Sequence, residues 1–306
     1  MTKHRSFLPQ TGYQAFLAHS GLARDLRIER SSVRASTIFH DSVLPSIHSA
    51  RANGLGFVIE TPTKCAGLDW SARSGLNGEA ELAAFNRKVS EVAGVLRAQC
   101  ETDRTPIVVS GSVGPRTELH DPAKAMCVEE AADYHRWQMS HLAEAGVDMI
   151  TAVSMTNIEE AVGITIAARR LGMPVVISFA VEADGRLPTG QPLAEAIAEV
   201  DYTSNRYPAY FMIDCAKPSY FASILLNGSD WVLRIRGLRA HSQISPDQND
   251  GPVTTLQRDA PLAFAQEMAA IQRALPHITV LGGCCDTEES NCAALVNAST
   301  CEQVAA

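Results

Sequence analysis

The 306-residue chain lacks several features, and each absence narrows the classes of protein to which it can belong. No apolar run approaches the roughly 20 residues of a membrane-spanning helix, so we expect no membrane partner. Lysine and arginine form no block and the formal net charge is −8, which argues against nucleic acid as a partner. Eight cysteines are too few for a disulfide scaffold, and no apolar signal-peptide segment follows the basic first residues. We therefore expect a cytoplasmic protein with reduced thiols.

What the sequence does contain is a regular alternation of apolar strands and amphipathic helices. Strands are predicted for residues 56–61, 106–112, 147–153, 174–181, 209–215, 231–236 and 278–285, with a weaker strand at Phe7-Leu8. Helices are predicted for residues 13–24, 42–53, 78–100, 122–145, 158–171, 192–204, 219–226, 261–275 and 288–297. Strands joined by crossover helices form a parallel sheet. Eight such units favour an α/β fold, a single (β/α)8 TIM barrel over residues 1–306; an open doubly wound sheet is the alternative.

Two of the predicted strands end on cysteines. Strand six ends on Cys215, and strand eight runs through two glycines into the adjacent pair Cys284 and Cys285. A disulfide between adjacent cysteines would strain the peptide bond that joins them. The carboxyl ends of barrel strands converge on one face, and strands six and eight both flank strand seven. We therefore predict that these three thiols bind zinc and leave the fourth position open, as in catalytic zinc sites.

The same cysteines carry a resemblance to a known family. Cys215 followed by Lys217 and Pro218, together with residues 282–285, is similar to the zinc signature of the homocysteine S-methyltransferase family. Further stretches agree in order between about residues 54 and 295: 60–63, Asp69-Trp70, 110–115, 145–148, 177–179, 185–190 and Arg239-Ala240. The resemblance implies a zinc-dependent barrel that methylates a thiol.

The chemistry of such a site can be argued from its charges. A thiol that enters the open position of a thiolate-bound zinc ion is deprotonated at neutral pH. The excess negative charge keeps that sulfur nucleophilic, so it can displace a methyl group from a cationic donor, either a sulfonium or a quaternary ammonium. Alignment of the two reactants can supply several kcal/mol, and we predict no catalytic side chain beyond the metal site. The expected partners are a small thiol acceptor and an onium donor; homo-oligomerisation stays open.

The residues predicted to contact the substrate stand at the ends of strands two to four: Glu60, Thr61, Thr63, Ser112, Val153 and Ser154. Members of the family usually carry Glu-Thr where Val153 and Ser154 stand. They also usually carry Asp-Gly-Gly at the end of strand one, where the nearest stretch here is Gln10-Thr11-Gly12. In the family those acidic residues hold the amino group of homocysteine, and burying an ammonium without them would be costly. We therefore hypothesise an acceptor thiol that lacks an α-amino group or holds it differently.

Three other residues are not among the predicted site residues. His241 stands in the region of the family's asparagine after strand seven, and contact with a ligand and a solvated loop histidine are both open for it; Asp286 replaces a glycine after the paired cysteines. Asp214 precedes a predicted ligand, and strand alternation predicts that its side chain points away from the barrel interior.

Two other functions remain as alternatives. One is a zinc-binding barrel with altered or lost transferase activity, and the other is the methyl-acceptor subunit of a corrinoid-dependent system. A metal-free redox pair of cysteines is the weakest alternative, because no Cys-x-x-Cys spacing accompanies the adjacent thiols.

Overall fold

The described part of the chain forms a closed barrel of parallel strands, each followed by a helix. The computed structural model of the protein describes residues 15–18, 32–70, 76, 78–117, 124–241, 261–284 and 289–300. The strands are Ala15–Ala18 (β1), Gly56–Glu60 (β2), Ile107–Val113 (β3), Met149–Met155 (β4), Val175–Ala180 (β5), Tyr210–Ala216 (β6), Ile235–Ala240 (β7) and Val280–Gly283 (β8). The helices are Ser32–Ala52 (α1), Glu79–Cys100 (α2), Val128–Glu144 (α3), Ile158–Leu171 (α4), Leu193–Ser204 (α5), Pro218–Leu226 (α6), Pro261–Ala274 (α7) and Glu289–Thr300 (α8). The predicted (β/α)8 barrel is confirmed, and the open-sheet alternative is wrong.

The strands are apolar on both faces because helices cover the outside of the sheet and side chains fill the inside. All residues of β2, β3 and β4 are buried. The cluster that fills the barrel comprises Val58, Val108, Met149, Val176, Tyr210, Met212 and Val280. Polar residues follow on the same face towards the carboxyl ends of the strands, including Glu60, Ser110 and Ser112. The apolar filling therefore ends below the carboxyl face, where barrel active sites lie.

Helix ends agree with the prediction where local capping signals are strong. α4 has the predicted bounds, because the side chain of Asn157 accepts a hydrogen bond from Glu160 N at 2.8 Å and Gly172 ends the helix at φ 66°. α1 begins ten residues earlier than the predicted residue 42, and α3 begins six residues later than the predicted residue 122. None of the described helices combines the length and apolarity that crossing a membrane requires.

The first strand lies where the sequence pattern predicts a helix. The predicted helix over residues 13–24 is wrong at Ala15–Ala18, which form β1. β1 pairs with β2 on one side and with β8 on the other, and thereby closes the barrel. These tertiary hydrogen bonds outweigh local helix propensity in so short a segment. The strand predicted at Phe7-Leu8 and the stretch 10–12 lie outside the described residues. Since β1 spans Ala15–Ala18, residues 10–12 precede this strand in the chain, and their comparison with the family's Asp-Gly-Gly at the end of strand one loses its basis.

The seventh strand begins later than predicted. The pattern predicts a strand over residues 231–236, but Asp230–Arg234 is a 3-10 helix and β7 starts at Ile235. Gly237 pairs with Met212 of β6, and a Cβ at position 237 would lie 2.7 Å from Met212 Cγ. A side chain at position 237 would therefore require Met212 to move inside the barrel. The contact joins two distant segments, so the local apolar pattern does not contain it.

Candidate metal and substrate site

Two of the predicted metal ligands meet at the carboxyl end of the barrel. The Sγ atoms of Cys215, near the end of β6, and Cys284, directly after β8, are 2.8 Å apart. Cys284 is fully buried, whereas Cys215 is partly exposed. Backbone hydrogen bonds join the strand ends: Cys284 N donates to Ala240 O at 3.0 Å, and His241 N donates to Ala216 O at 2.9 Å. Both thiols therefore lie at strand ends that are hydrogen-bonded to the end of β7.

His241 lies beside the two thiols. One ligand atom from each of Cys215, His241 and Cys284 lies within 4.8 Å of the other two. This spacing fits a single metal ion, and a set of thiolate and imidazole donors suits Zn²⁺. The third predicted thiol, Cys285, lies outside the described residues, so its ligation stays a prediction. From the sequence alone His241 could equally be a ligand contact or a solvated loop histidine, and the tertiary structure brings it to the cluster.

The backbone at two strand ends departs from regular β geometry. Cys215 has φ 52° and Ser154, near the end of β4, has φ 56°. The pairing register shifts at both places, as it does at β-bulges. A left-handed conformation costs a non-glycine residue about 1–3 kcal/mol, and such residues cluster at functional sites. Here the two irregular residues meet, with Ser154 Oγ 3.2 Å from Cys215 Sγ.

Asp214 lies inside the barrel, which corrects the prediction that it points outward. Tyr210 and Met212 face the interior, and alternation along β6 continues to Asp214, which is fully buried. The bulge then adds Cys215 to the same side of the strand. Asp214 Oδ2 accepts hydrogen bonds from Ser154 N at 2.8 Å and Ser154 Oγ at 3.0 Å. The carboxylate therefore fixes the position of the serine beside Cys215.

Lys64 brings a positive charge to the same place. Its Nζ donates to Ser154 Oγ at 2.9 Å. Its carbonyl accepts from Gly114 N at 3.1 Å, and a Cβ at position 114 would lie 2.5 Å from that oxygen. A side chain at position 114, in the loop after β3, would therefore collide with the backbone of Lys64. Lys64 is not among the predicted site residues, and its signal in the sequence is its place directly after the stretch 60–63.

Glu60, which was predicted to contact the substrate, forms an ion pair inside the barrel. Its Oε2 lies 2.9 Å from Nη1 of Arg239, and both side chains are at most 2% exposed. Arg239 also donates from Nε to Gly283 O at 3.2 Å. Burial, with a smaller contribution from the charge of Glu60, raises the pKa of the neighbouring Tyr210 well above its usual value. The ion pair thus connects β2 to β7 and β8, directly below Cys284.

The other residues predicted to contact the substrate are all buried at the strand ends. The hydroxyls of Thr61 and Thr63 are 2.7 Å apart, and Thr63 Oγ1 donates to Ser112 O at 2.6 Å. Ser112 N in turn donates to Thr61 Oγ1 at 3.1 Å. Val153 is 1% exposed beside Ser154. These groups hold the loop after β2 against β3, and their contact with a substrate stays a prediction.

A buried ionic cluster supports the loop after β3. Glu160 Oε1 accepts from Arg116 N at 2.7 Å and lies 2.8 Å from His135 Nε2. Desolvation by burial raises the pKa of Glu160, but the hydrogen bonds and charge of His135, with the donors Arg116 N and Asn157, outweigh it and leave the pKa below its usual value. The ionised carboxylate is therefore the form that the fold stabilises.

Comparison with known proteins agrees with this arrangement. A family model described as homocysteine S-methyltransferase matches residues 18–299. The chain belongs to the homocysteine S-methyltransferase family. No curated protein sequence matches the chain significantly.

Solved structures show the same fold. The metallated form of the homocysteine methyltransferase MmuM from Escherichia coli is 19% identical, with 94% of this chain and 96% of that chain covered and a TM-score of 0.69. Its oxidized form is 18% identical, with coverages of 96% and 99% and a TM-score of 0.70. The carboxyl transferase domain of Rhizobium etli pyruvate carboxylase is 10% identical, with coverages of 91% and 40% and a TM-score of 0.51. At these identities the likeness shows a shared barrel.

Proposed function

We propose that the protein is a zinc-dependent S-methyltransferase that moves a methyl group from a sulfonium or quaternary ammonium donor to a small thiol. The observation that carries the proposal is the meeting of Cys215 and Cys284 at the carboxyl face of a barrel of the homocysteine S-methyltransferase family. Chemistry in such barrels takes place at this face. The two thiols stand at the strand ends where the family signature has its zinc ligands.

Zinc would be held by Cys215 and Cys284, with Cys285 as the third thiolate of the family signature, and the fourth position would stay open to the substrate thiol. His241, whose ligand atom lies within 4.8 Å of those of Cys215 and Cys284, would replace one of these ligands only if the thiol position were left open. Bound there, Zn²⁺ supplies a Lewis acid that allows a substrate thiol to ionise at neutral pH. No general base is then required, which agrees with the absence of a predicted catalytic side chain.

The neighbouring residues position Cys215 and preserve its electron density. Ser154 donates its single hydroxyl proton to Asp214 Oδ2, so that proton is not available to Cys215 Sγ at the same time. A hydrogen bond donated to a thiolate would draw charge from the sulfur and weaken it as a ligand. Asp214 therefore acts as a positioning residue, through Ser154.

The group transfer balances without a further reactant. The acceptor thiol releases its proton to solvent, and its sulfur forms a bond to the donor's methyl carbon. The bond from that carbon to the onium centre breaks with its electron pair staying on the donor, which leaves as a neutral sulfide or amine. Because both charges disappear from the reacting pair, a site that excludes water favours the reaction, and alignment of the two reactants lowers the barrier further.

The proposal is tested by metal analysis and methyl transfer on one set of variants. Zinc-loaded protein should methylate at least one member of a thiol panel from S-methylmethionine, S-adenosylmethionine, dimethylsulfoniopropionate or betaine. Cys284→Ala should lose both bound zinc and turnover, whereas Cys127→Ser, at an exposed thiol next to α3, should keep both. Turnover that survives Cys284→Ala would refute the mechanism. Zinc binding without methyl transfer to any thiol would instead favour a barrel that has lost transferase activity or needs a corrinoid partner.

A further inference from the structure

Among the described residues beside Cys215, the charge that is partly exposed is an ammonium, whereas an amino group would need an anion. Val153 and Ser154 at the end of β4 carry no charge, and Ser154 accepts a hydrogen bond from the ammonium of Lys64 at 2.9 Å. Asp214, whose carboxylate accepts the hydrogen bond of Ser154 Oγ, is 0% exposed. A ligand that approaches Cys215 from the barrel mouth therefore meets the partly exposed Lys64 before it meets any part of Asp214.

Lys64 is held in this position by its backbone rather than by chance packing. Thr63, the preceding residue, is fixed on both sides, since its Oγ1 donates to Ser112 O at 2.6 Å and its carbonyl accepts from Gln138 Nε2 at 2.7 Å. Gly114 then holds the carbonyl of Lys64, and its missing side chain leaves room for Lys64 Cγ, which would lie 2.7 Å from a Cβ at position 114. The anchored backbone and the hydrogen bond from Nζ to Ser154 Oγ restrain both ends of the side chain, which lowers the entropy lost when the ammonium binds a ligand.

We infer that Lys64 provides the binding position for a carboxylate on the acceptor, so that the acceptor is a mercapto-carboxylate rather than an amino thiol. The inference rests on the proposed function and names its substrate class. Through Ser154 Oγ, the ammonium lies within two hydrogen-bond lengths of Cys215 Sγ. A thiol whose sulfur occupies the cluster therefore reaches Lys64 with a carboxylate that is two or three methylene groups away.

The first test is binding, which does not depend on methyl transfer. Isothermal titration of zinc-loaded protein compares 3-mercaptopropionate with its neutral isostere 3-mercaptopropionamide and with cysteamine. A hydrogen bond between charged groups in a partly buried site should favour the carboxylate over the amide about tenfold or more. Lys64→Gln should reduce that ratio to near one, and Lys64→Arg, which keeps the charge, should restore part of it. Lys88→Gln, at an exposed lysine on α2, should leave the ratio unchanged.

The second test reads the charge at Cys215 itself. Metal-stripped full-length protein is alkylated with iodoacetate or iodoacetamide, and the modification of Cys215 is measured by peptide mass spectrometry. Both reagents modify the same thiol, so a change in the reactivity of that thiol cancels in the ratio of the iodoacetate rate to the iodoacetamide rate. This ratio should be lower in Lys64→Gln than in the wild type and should stay high in Lys64→Arg and Lys88→Gln.

The outcomes separate this inference from the proposed function. If wild-type protein binds the carboxylate and the amide equally, or if Lys64→Gln leaves both ratios unchanged, the inference is wrong even when thiols are methylated. If the carboxylate preference depends on Lys64, the anion position is established, and an absence of turnover would then count against the transferase proposal alone. Thermal unfolding of each variant checks that the changes in ratio do not come from misfolding.

Discussion

Replacing Arg239 with methionine removes the cation from an ion pair that lies inside the barrel. Arg239 Nη1 is 2.9 Å from Glu60 Oε2, and the two side chains are 2% and 0% exposed. Methionine keeps much of the length and the apolar stem but removes the charge. The carboxylate of Glu60 then loses its ion-pair partner in a region that water does not reach. The change in the free energy of unfolding therefore measures how much the ion pair stabilises the barrel interior.

The expected cost follows from the burial of both charges. Breaking a buried pair by removing one partner costs about 3–5 kcal/mol, whereas replacing both partners with apolar residues is often close to neutral. Arg239→Met and Glu60→Leu should therefore each destabilise the barrel by about 3–5 kcal/mol, and the double variant should recover most of that loss. The exposed pair of Arg170 and Asp133, at 3.8 Å, is a matched control, and Arg170→Met should change stability by less than about 1 kcal/mol.

Metal affinity should not recover in the double variant. Arg239 Nε donates to Gly283 O at 3.2 Å, next to Cys284, and methionine cannot make this bond. Loss of a bond that orients a ligand typically costs about 10–100-fold in metal affinity. Urea unfolding measures the double-mutant cycle, and competition with a chelating dye measures zinc affinity. Single variants that each lose less than about 1 kcal/mol, or a double variant less stable than either single one, would refute the reasoning.

Three further predictions follow from other contacts. Gly114→Ala should destabilise the protein by about 1–3 kcal/mol and weaken the carboxylate preference, because its Cβ would lie 2.5 Å from Lys64 O. The control Gly94→Ala lies inside α2, where its Cβ would meet nothing within 4 Å, and should stabilise the protein slightly. Equal urea-unfolding free energies for the two variants would contradict this. The pKa of Glu160 is lowered in the folded protein, so its carboxylate contributes to the free energy of unfolding. This contribution is complete above the pKa of about 4.3 that glutamate has in the unfolded chain, and it is lost as pH falls through the pKa in the folded protein. The stability gap between wild type and Glu160→Gln should therefore be largest near neutral pH and shrink in acid; a pH-independent gap in urea unfolding would count against the ionised carboxylate. Finally, 4-mercaptobutyrate should bind the zinc-loaded protein about tenfold more tightly than homocysteine, because the ammonium of homocysteine would face the like charge of Lys64. Micromolar binding of homocysteine through its thiol and its amine would contradict this prediction.

The alternation of strands and helices was predictable because it depends on local burial. Each strand is covered on both faces, so its sequence is an apolar run, and each helix shows one apolar stripe. The same logic predicts that Cys215 and Cys284 stand at the ends of β6 and β8, the two strands that flank β7. Where a segment was short, as in β1, the local pattern was not sufficient, because pairing with β2 and β8 decides its conformation.

The sequence by itself therefore determined the barrel and the approach of the two thiols, while the tertiary structure decided what surrounds them. Strand alternation assumes regular geometry, so it could not anticipate the bulge that brings Cys215 to the same inward side as Asp214. Lys64 and Ser154 are 90 positions apart, and no local pattern links them. The pairing of Glu60 with Arg239 likewise depends on closure of the barrel. Periodicity reports which face of a segment is buried, whereas the charges beside a site depend on which distant segments the closed barrel brings together.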